Sequence, residues 1–141
     1  MICAALAVAA VTALAGAERA GACSCIPLEL DRQAFRDSDA AIIGKLVAKH
    51  PVGDFQADYR FRVERVFRGR HRLPVGRVFS VRSSSEGASC GYETGIGHRT
   101  GLLLDRHRGE WTGNLCATAP PRVMRRAAER EGFSRTLKCG S

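Results

Sequence analysis

The chain has 141 residues, 45% of them hydrophobic, and carries 22 Lys and Arg against 14 Asp and Glu, a net charge of +8. That length suits one domain with its own core, and the hydrophobic share excludes a disordered or low-complexity chain. The positive balance points to acidic partners such as wall polymers, anionic lipid or an acidic protein surface.

The run Ile2 to Ala17 has no charged residue and is followed by Glu18-Arg19 and Ala20-Gly21-Ala22. It is shorter than the ~20 residues a spanning helix requires. An apolar stretch ahead of an A-x-A site is the pattern of a secretory signal. Residues 1–22 are therefore expected to be a signal peptide, and residues 23–141 one secreted domain. Cleavage after Ala22 makes Cys23 the first residue. A lipoprotein signal also cuts before a cysteine, but it usually has a large aliphatic residue where Ala20 stands. Membrane attachment is expected only in the case that Cys23 is lipidated.

Past the signal, Pro27 disfavours helix before it. Leu30 to Arg36 is expected to form a short helix with Asp31 as N-cap. Ala40 to Ala48 is apolar and is expected to be a buried strand ending near Pro51. Tyr59, Phe61 and Val63 alternate with Arg60, Arg62 and Glu64, the pattern of a strand with one wet face. Val78 to Val81 is a further strand, bounded by Gly76 and by Ser83-Ser84-Ser85. Gly101 to Asp105 holds Leu102-Leu103-Leu104 and is short and buried. Glu110 to Thr112, around Trp111, is expected to pair back across Arg108-Gly109. Pro120-Pro121 ends the sheet region, and Val123 to Glu131 is helical, with Gly132 as its stop. Some five short strands and a terminal helix predict an all-β fold, a small closed barrel with short flanking helices. A sandwich is the competing arrangement.

Five cysteines follow the signal: Cys23, Cys25, Cys90, Cys116 and Cys139. Export favours disulfides, and an odd number leaves one to stay free or pair with another chain. Cys23 and Cys25 point to one side of an extended segment and are poorly placed to bond each other. Each needs a distant partner, and Cys90 and Cys116 are the candidates. The competing reading is a metal cage of Cys23, Cys25, Cys90 and Cys116, although structural zinc sites usually use C-x₂₋₄-C knuckles.

Enzyme chemistry finds little support. His50, His71, His98 and His107 are scattered among basic residues and glycines, with no H-E-x-x-H. Ser83-Ser84-Ser85 lacks a G-x-S-x-G frame. Gly95-Ile96-Gly97 precedes no helix pattern. Arg68, Arg70, His71 and Arg72 form a basic cluster around Gly69 where an anion could dock. Tyr59 and Phe61 could stack bases, but their alternation assigns them to the core, and export argues against nucleic acid. Neither an enzyme activity nor a cofactor is expected.

Cys23-Ser24-Cys25 at a mature terminus resembles the opening of the tissue inhibitors of metalloproteinases, within the netrin-like modules. Pro27, Gln33-Ala34-Phe35, and Asp39 ahead of an apolar strand with Lys45 resemble the same opening. The segment Phe61 to Gly69 resembles that family's second strand and the glycine turn after it. Ser89-Cys90-Gly91 and Cys116 fall where the partners of the two terminal cysteines stand. The resemblance spans roughly Cys23 to Cys116. It implies a five-stranded OB-fold barrel stapled by Cys23–Cys90 and Cys25–Cys116, each bridge closing a long loop worth roughly 4 kcal/mol in chain entropy. It also implies inhibition of a zinc metalloprotease in trans. The Cys23 amine and carbonyl would chelate the target's zinc, and Ser24 would enter its specificity pocket. Cys25, Ile26 and Pro27 would lie along the cleft, with Ala88 and Ser89 beside Cys23. The family's next cysteine is replaced by Arg36, so a third bridge is not expected and Cys139 lacks its mate. A non-inhibitory netrin-like module that binds an anionic partner is the alternative function.

Overall fold

Two long strands dominate the computed structural model, which describes residues 32–86 and 90–133. Strands β1 (Ala40–Val52) and β2 (Gln56–Arg68) form an antiparallel hairpin, paired from Ala41↔Arg68 to Val52↔Gln56. Three register shifts interrupt the ladder, at Ala41/Ile42, Ile43/Gly44 and Leu46/Ala48. Such bulges bend and coil a long hairpin, which lets it serve two sides of a barrel. Strand β3 (Val78–Ser84) lies antiparallel to β2. Strand β4 (Arg99–His107) returns to β1, from Ala40↔Leu104 to Lys45↔Arg99. Strand β5 (Glu110–Thr112) pairs antiparallel with β4 and parallel with β3 through Val81↔Trp111. The circuit β1-β2-β3-β5-β4-β1 is therefore closed. Strand β6 (Thr118–Ala119) adds to the free side of β4.

Strand alternation fills the barrel. Tyr59, Phe61 and Val63 from β2 meet Ile42 and Leu46 from β1, Val81 from β3, and Leu102 and Leu104 from β4, all essentially without solvent exposure. Each such side chain contributes about 1.5–3 kcal/mol of burial. A second, smaller core lies outside the wall. Ala41, Ile43, Phe67 and Leu103 are covered there by Phe35 of α1 (Arg32–Asp37) and by Met124, Ala127 and Ala128 of α2 (Pro121–Arg130).

The expected elements are present, with shifted ends. β1 runs on through Pro51, because its pairing with β4 stops at Lys45 and Pro51 needs a partner only on the β2 side. β3 reaches Ser84, so Ser83 and Ser84 belong to the strand and not to a loop. The β4–β5 turn is at Arg108-Gly109 as expected, with both residues at positive φ (49° and 90°), the twist that tight hairpins prefer. α2 starts two residues early, with Pro121 in its first turn, where a missing N–H costs nothing. α1 is shifted to Arg32–Asp37; Leu30 and its expected cap Asp31 lie outside the described residues. β6 is too short to show any alternation in sequence. Among the described residues, no helix is long and apolar enough to cross a membrane.

At Arg36, where the resemblance has a third cysteine, the two helices are joined without a covalent bond. Arg32 and Arg36 both reach Glu131, at 3.0 and 3.7 Å, and Phe35 meets Phe133 with ring centroids 5.6 Å apart. Both arginines are more than half exposed, so these ion pairs add little to stability, and Phe35 carries most of the attachment.

Candidate functional site

The end of the barrel where β3 and β5 finish brings Cys90 and Cys116 together. β3 is fastened there to the β1–β2 turn. The Ser85 amide donates to the Phe55 carbonyl at 3.0 Å, and Tyr59 Oη donates to the Ser84 carbonyl at 2.9 Å. Lys49 Nζ donates to the Ser85 carbonyl at 3.1 Å and lies 5.1 Å above the Tyr59 ring. The Gly91 amide then donates back to the Glu86 carbonyl at 2.9 Å. Gly91 sits so close to the chain at Ser84 that a Cβ would overlap the Ser84 carbonyl oxygen. Glycine is required for that approach. Its neighbour Cys90 is held at φ 63°, in the left-handed region that non-glycine residues seldom adopt.

On the facing segment, a short 3₁₀ turn (Leu115–Ala117) carries Cys116. Asn114 caps it by accepting the Ala117 amide at 3.1 Å, and Thr118 Oγ1 donates to the Leu115 carbonyl at 2.7 Å. The Leu115 amide donates to the Cys90 carbonyl at 2.9 Å. That bond places the residue before Cys116 against Cys90. Both cysteines are disulfide-bonded. Their thiolates are thus not free to serve as ligands, which corrects the four-cysteine cage reading. The other residues of the expected site, Cys23, Ser24, Cys25, Ile26, Pro27, Ala88 and Ser89, lie outside the described residues, as does Cys139.

Beneath this platform is Tyr92, which sequence reasoning missed. It follows a turn and belongs to no alternating run. Its ring meets Tyr59 (5.0 Å, 80°) and Phe61 (5.6 Å, 81°) edge to face. Its hydroxyl is buried and has no hydrogen-bond partner among the described residues. It points at Gly113, where a Cβ would overlap it. Burial first, and the neighbouring Tyr59 second, push the Tyr92 phenol well above its usual range. The unfolded chain releases that proton near pH ~10. Above that pH the folded state binds more protons than the unfolded one, so this group's contribution is intact below pH ~10 and declines as pH rises further. Urea unfolding measured on either side of pH ~10 should show a steeper alkaline loss of stability for the wild type than for Tyr92→Phe. Equal slopes would contradict this origin.

Other residues singled out by sequence lie elsewhere. His50, His71, His98 and His107 are all exposed, and among the described residues no three His, Cys, Asp or Glu converge as metal ligands. The Gly97 amide donates to the Leu46 carbonyl at 2.7 Å, so Gly95-Ile96-Gly97 continues the sheet edge. Tyr59 and Phe61 are wholly buried and present no stacking surface. Trp111 is half-buried against Phe79, under the Arg106 guanidinium at 5.6 Å. In the cluster around Gly69, Arg72 pairs with Asp39 at 3.5 Å. Arg70 and His71 remain exposed.

No protein-family model matches this chain, and no curated protein matches it.

Proposed function

We propose that the chain is a secreted, single-domain inhibitor of zinc metalloproteases, built on an OB-fold barrel whose processed amino terminus is the inhibitory wedge. One observation carries this reading: Cys90 and Cys116 are adjacent at one end of the barrel, and both are disulfide-bonded. In an extended Cys-x-Cys segment both side chains leave from one side, about 7 Å apart. Their partners must therefore stand next to each other, and Cys90 and Cys116 do. The pairs Cys23–Cys90 and Cys25–Cys116 follow from the resemblance. The strand circuit, closed by a parallel β3–β5 contact, supports the OB-fold assignment.

A catalytic zinc holds three protein ligands and one exchangeable water. The Cys23 α-amine and carbonyl would displace that water as a five-membered chelate. The amine must be neutral to donate, and its ordinary pKa of ~7.7–8.0 makes that inexpensive next to a dication. Ser24 would enter the specificity pocket, and Cys25, Ile26 and Pro27 would follow the cleft. Ala88 and Ser89, preceding Cys90, would add the adjoining contact. The two bridges hold the wedge rigid and lower the ordering cost of binding. Lipidation at Cys23 excludes this mechanism, because a thioether-linked, acylated residue has neither a free amine nor a sulfur for the bridge.

The test is a variant processed to Ala-Cys23 instead of Cys23. The native terminus should inhibit a zinc endopeptidase from a test panel. The extended form should lose about 100-fold or more in affinity, since its Cys23 nitrogen is then a peptide amide with no lone pair to give the zinc, and the Ala amine stands one residue out of place. Circular dichroism should show the same fold for both. Equal inhibition by both forms, or none by either, would overturn the proposal. An intact-mass measurement of the mature terminus checks for a lipid adduct.

A further inference from the structure

The loop that joins β2 to β3, Gly69 to Arg77, combines cations with an apolar side chain held in water. Arg70, His71, Arg72 and Arg77 are all exposed, and the loop holds no Asp or Glu. Arg72 pairs with Asp39 at 3.5 Å; among the described residues none of the ion pairs includes Arg70 or Arg77. Glu64 adjoins the strand residue to which the loop is bonded, but it holds Arg99 at 2.7 Å. Between Arg72 and Arg77 the chain makes a tight turn that leaves Val75 63% exposed. The turn is braced. The Arg72 and Leu73 amides both donate to the Gly69 carbonyl at 3.0 Å, the Gly76 amide to the Val63 carbonyl at 2.8 Å, and the Arg77 amide to the Pro74 carbonyl at 3.2 Å. Leu73 is anchored in the barrel core without exposure. Other exposed apolar side chains lack this setting. Val52 and Phe55 flank Gly53-Asp54, Ile96 stands between glycines, and Phe133 packs on Phe35.

We infer that the β2–β3 loop docks the domain on an anionic lipid bilayer, with Val75 entering the headgroup layer and Arg70 and Arg77 facing lipid phosphates. The combination of an apolar tip with flanking cations selects this occupant. A polyanionic sugar would use the charges and leave Val75 in water. A nucleic acid would do the same, and the loop has no aromatic ring for a base to stack on. A bilayer uses both features, because interfacial binding adds buried apolar area to the attraction for anionic lipid. The braced turn is already in place and loses little freedom on docking. β3 leaves this loop at Val78 and reaches the cysteine platform at Ser84, about 20 Å away along an extended strand. Docking through the loop therefore keeps that platform away from the bilayer. It requires neither chelation nor lipidation at Cys23.

The probe is a vesicle of phosphatidylglycerol mixed equally with phosphatidylcholine, and co-sedimentation of the whole processed protein across a salt series gives its partition coefficient. All variants share one amino terminus, so the state of Cys23 does not separate them. The wild type should bind these vesicles more tightly than pure phosphatidylcholine; equal or absent binding would overturn the inference. Val75→Ser should bind about fivefold more weakly, with its salt dependence unchanged, because only apolar burial is lost. Arg70→Ser, Arg77→Ser should bind about 20-fold more weakly at low salt and depend less on salt. Val75→Trp, a stronger interfacial anchor, should bind more tightly than the wild type. Wild-type binding by both Val75 variants would remove insertion and overturn the inference. The control Arg122→Ser, Arg125→Ser takes the same charge from exposed positions of α2 and should matter much less. A loss equal to that of the loop arginines would reduce the effect to net charge and overturn the inference. Loop variants that lose heparin binding but keep vesicle binding would assign the loop to a polysaccharide, which also overturns it.

Discussion

Gly113→Ala should destabilise the protein by about 3 kcal/mol, near the upper end of overpacking costs. Its Tm should fall by roughly 10–20 °C. The cause is a single atom. A Cβ on Gly113 would overlap the Tyr92 hydroxyl, whereas of its next neighbours only the Leu104 Cδ2 methyl, at 3.3 Å, would have to give slightly, and the Leu103 carbonyl at 3.5 Å is in ordinary contact. Tyr92 is pinned between Tyr59 and Phe61 and cannot swing away. Tyr92→Phe removes the obstructing atom. It also removes a buried hydroxyl without a partner among the described residues, so alone it should stabilise the fold by about 1 kcal/mol. In the Tyr92→Phe background Gly113→Ala should cost less than about 1 kcal/mol, a strong coupling for two residues in contact. Urea unfolding of all four proteins measures the cycle. Additive effects would show that the hydroxyl does not set the requirement for glycine.

Reduction, or the variant Cys90→Ser, Cys116→Ser, should cost about 2–5 kcal/mol for each bridge lost. For a domain of this size that is a large share of the total stability. The core around Phe61, packed from β1, β2, β3 and β4, should keep the barrel cooperative at low temperature. Thermal unfolding with and without reductant reads the loss, and alkylation followed by mass spectrometry reads the thiols. An unchanged Tm, or alkylation of Cys90 and Cys116 without reductant, would contradict their bonded state. The oxidised platform also explains the position of Cys90. A residue at φ 63° is strained unless its surroundings impose that conformation. Here the Glu86–Gly91 and Cys90–Leu115 backbone bonds do so.

Much of the barrel could be read from residue order. Tyr59, Phe61 and Val63 face inward because a period of two leaves no other way to bury them, and Arg60 and Arg62 face out for the same reason. The β4–β5 turn follows from Arg108-Gly109, and α2 from its helix formers and the stop at Gly132. Strand ends were less legible, since they depend on the partner. β3 extends to Ser84 because Gln56 and Ala57 are there to pair with it, and no local propensity demands that.

By itself the sequence determined the alternation that closes five strands around one core, and it marked Cys90 and Cys116 for disulfide bonding. Periodicity and spacing are local quantities, so both features are written in the order of residues. The tertiary structure alone decided which surfaces meet. It set Cys90 beside Cys116 across a gap of some two dozen residues. It aimed the Tyr92 hydroxyl at Gly113, and it aligned Arg62, Lys45 and Arg99 from three strands into one row. Register and loop packing fix these contacts. They arise only when the chain closes on itself, and no window of sequence contains them.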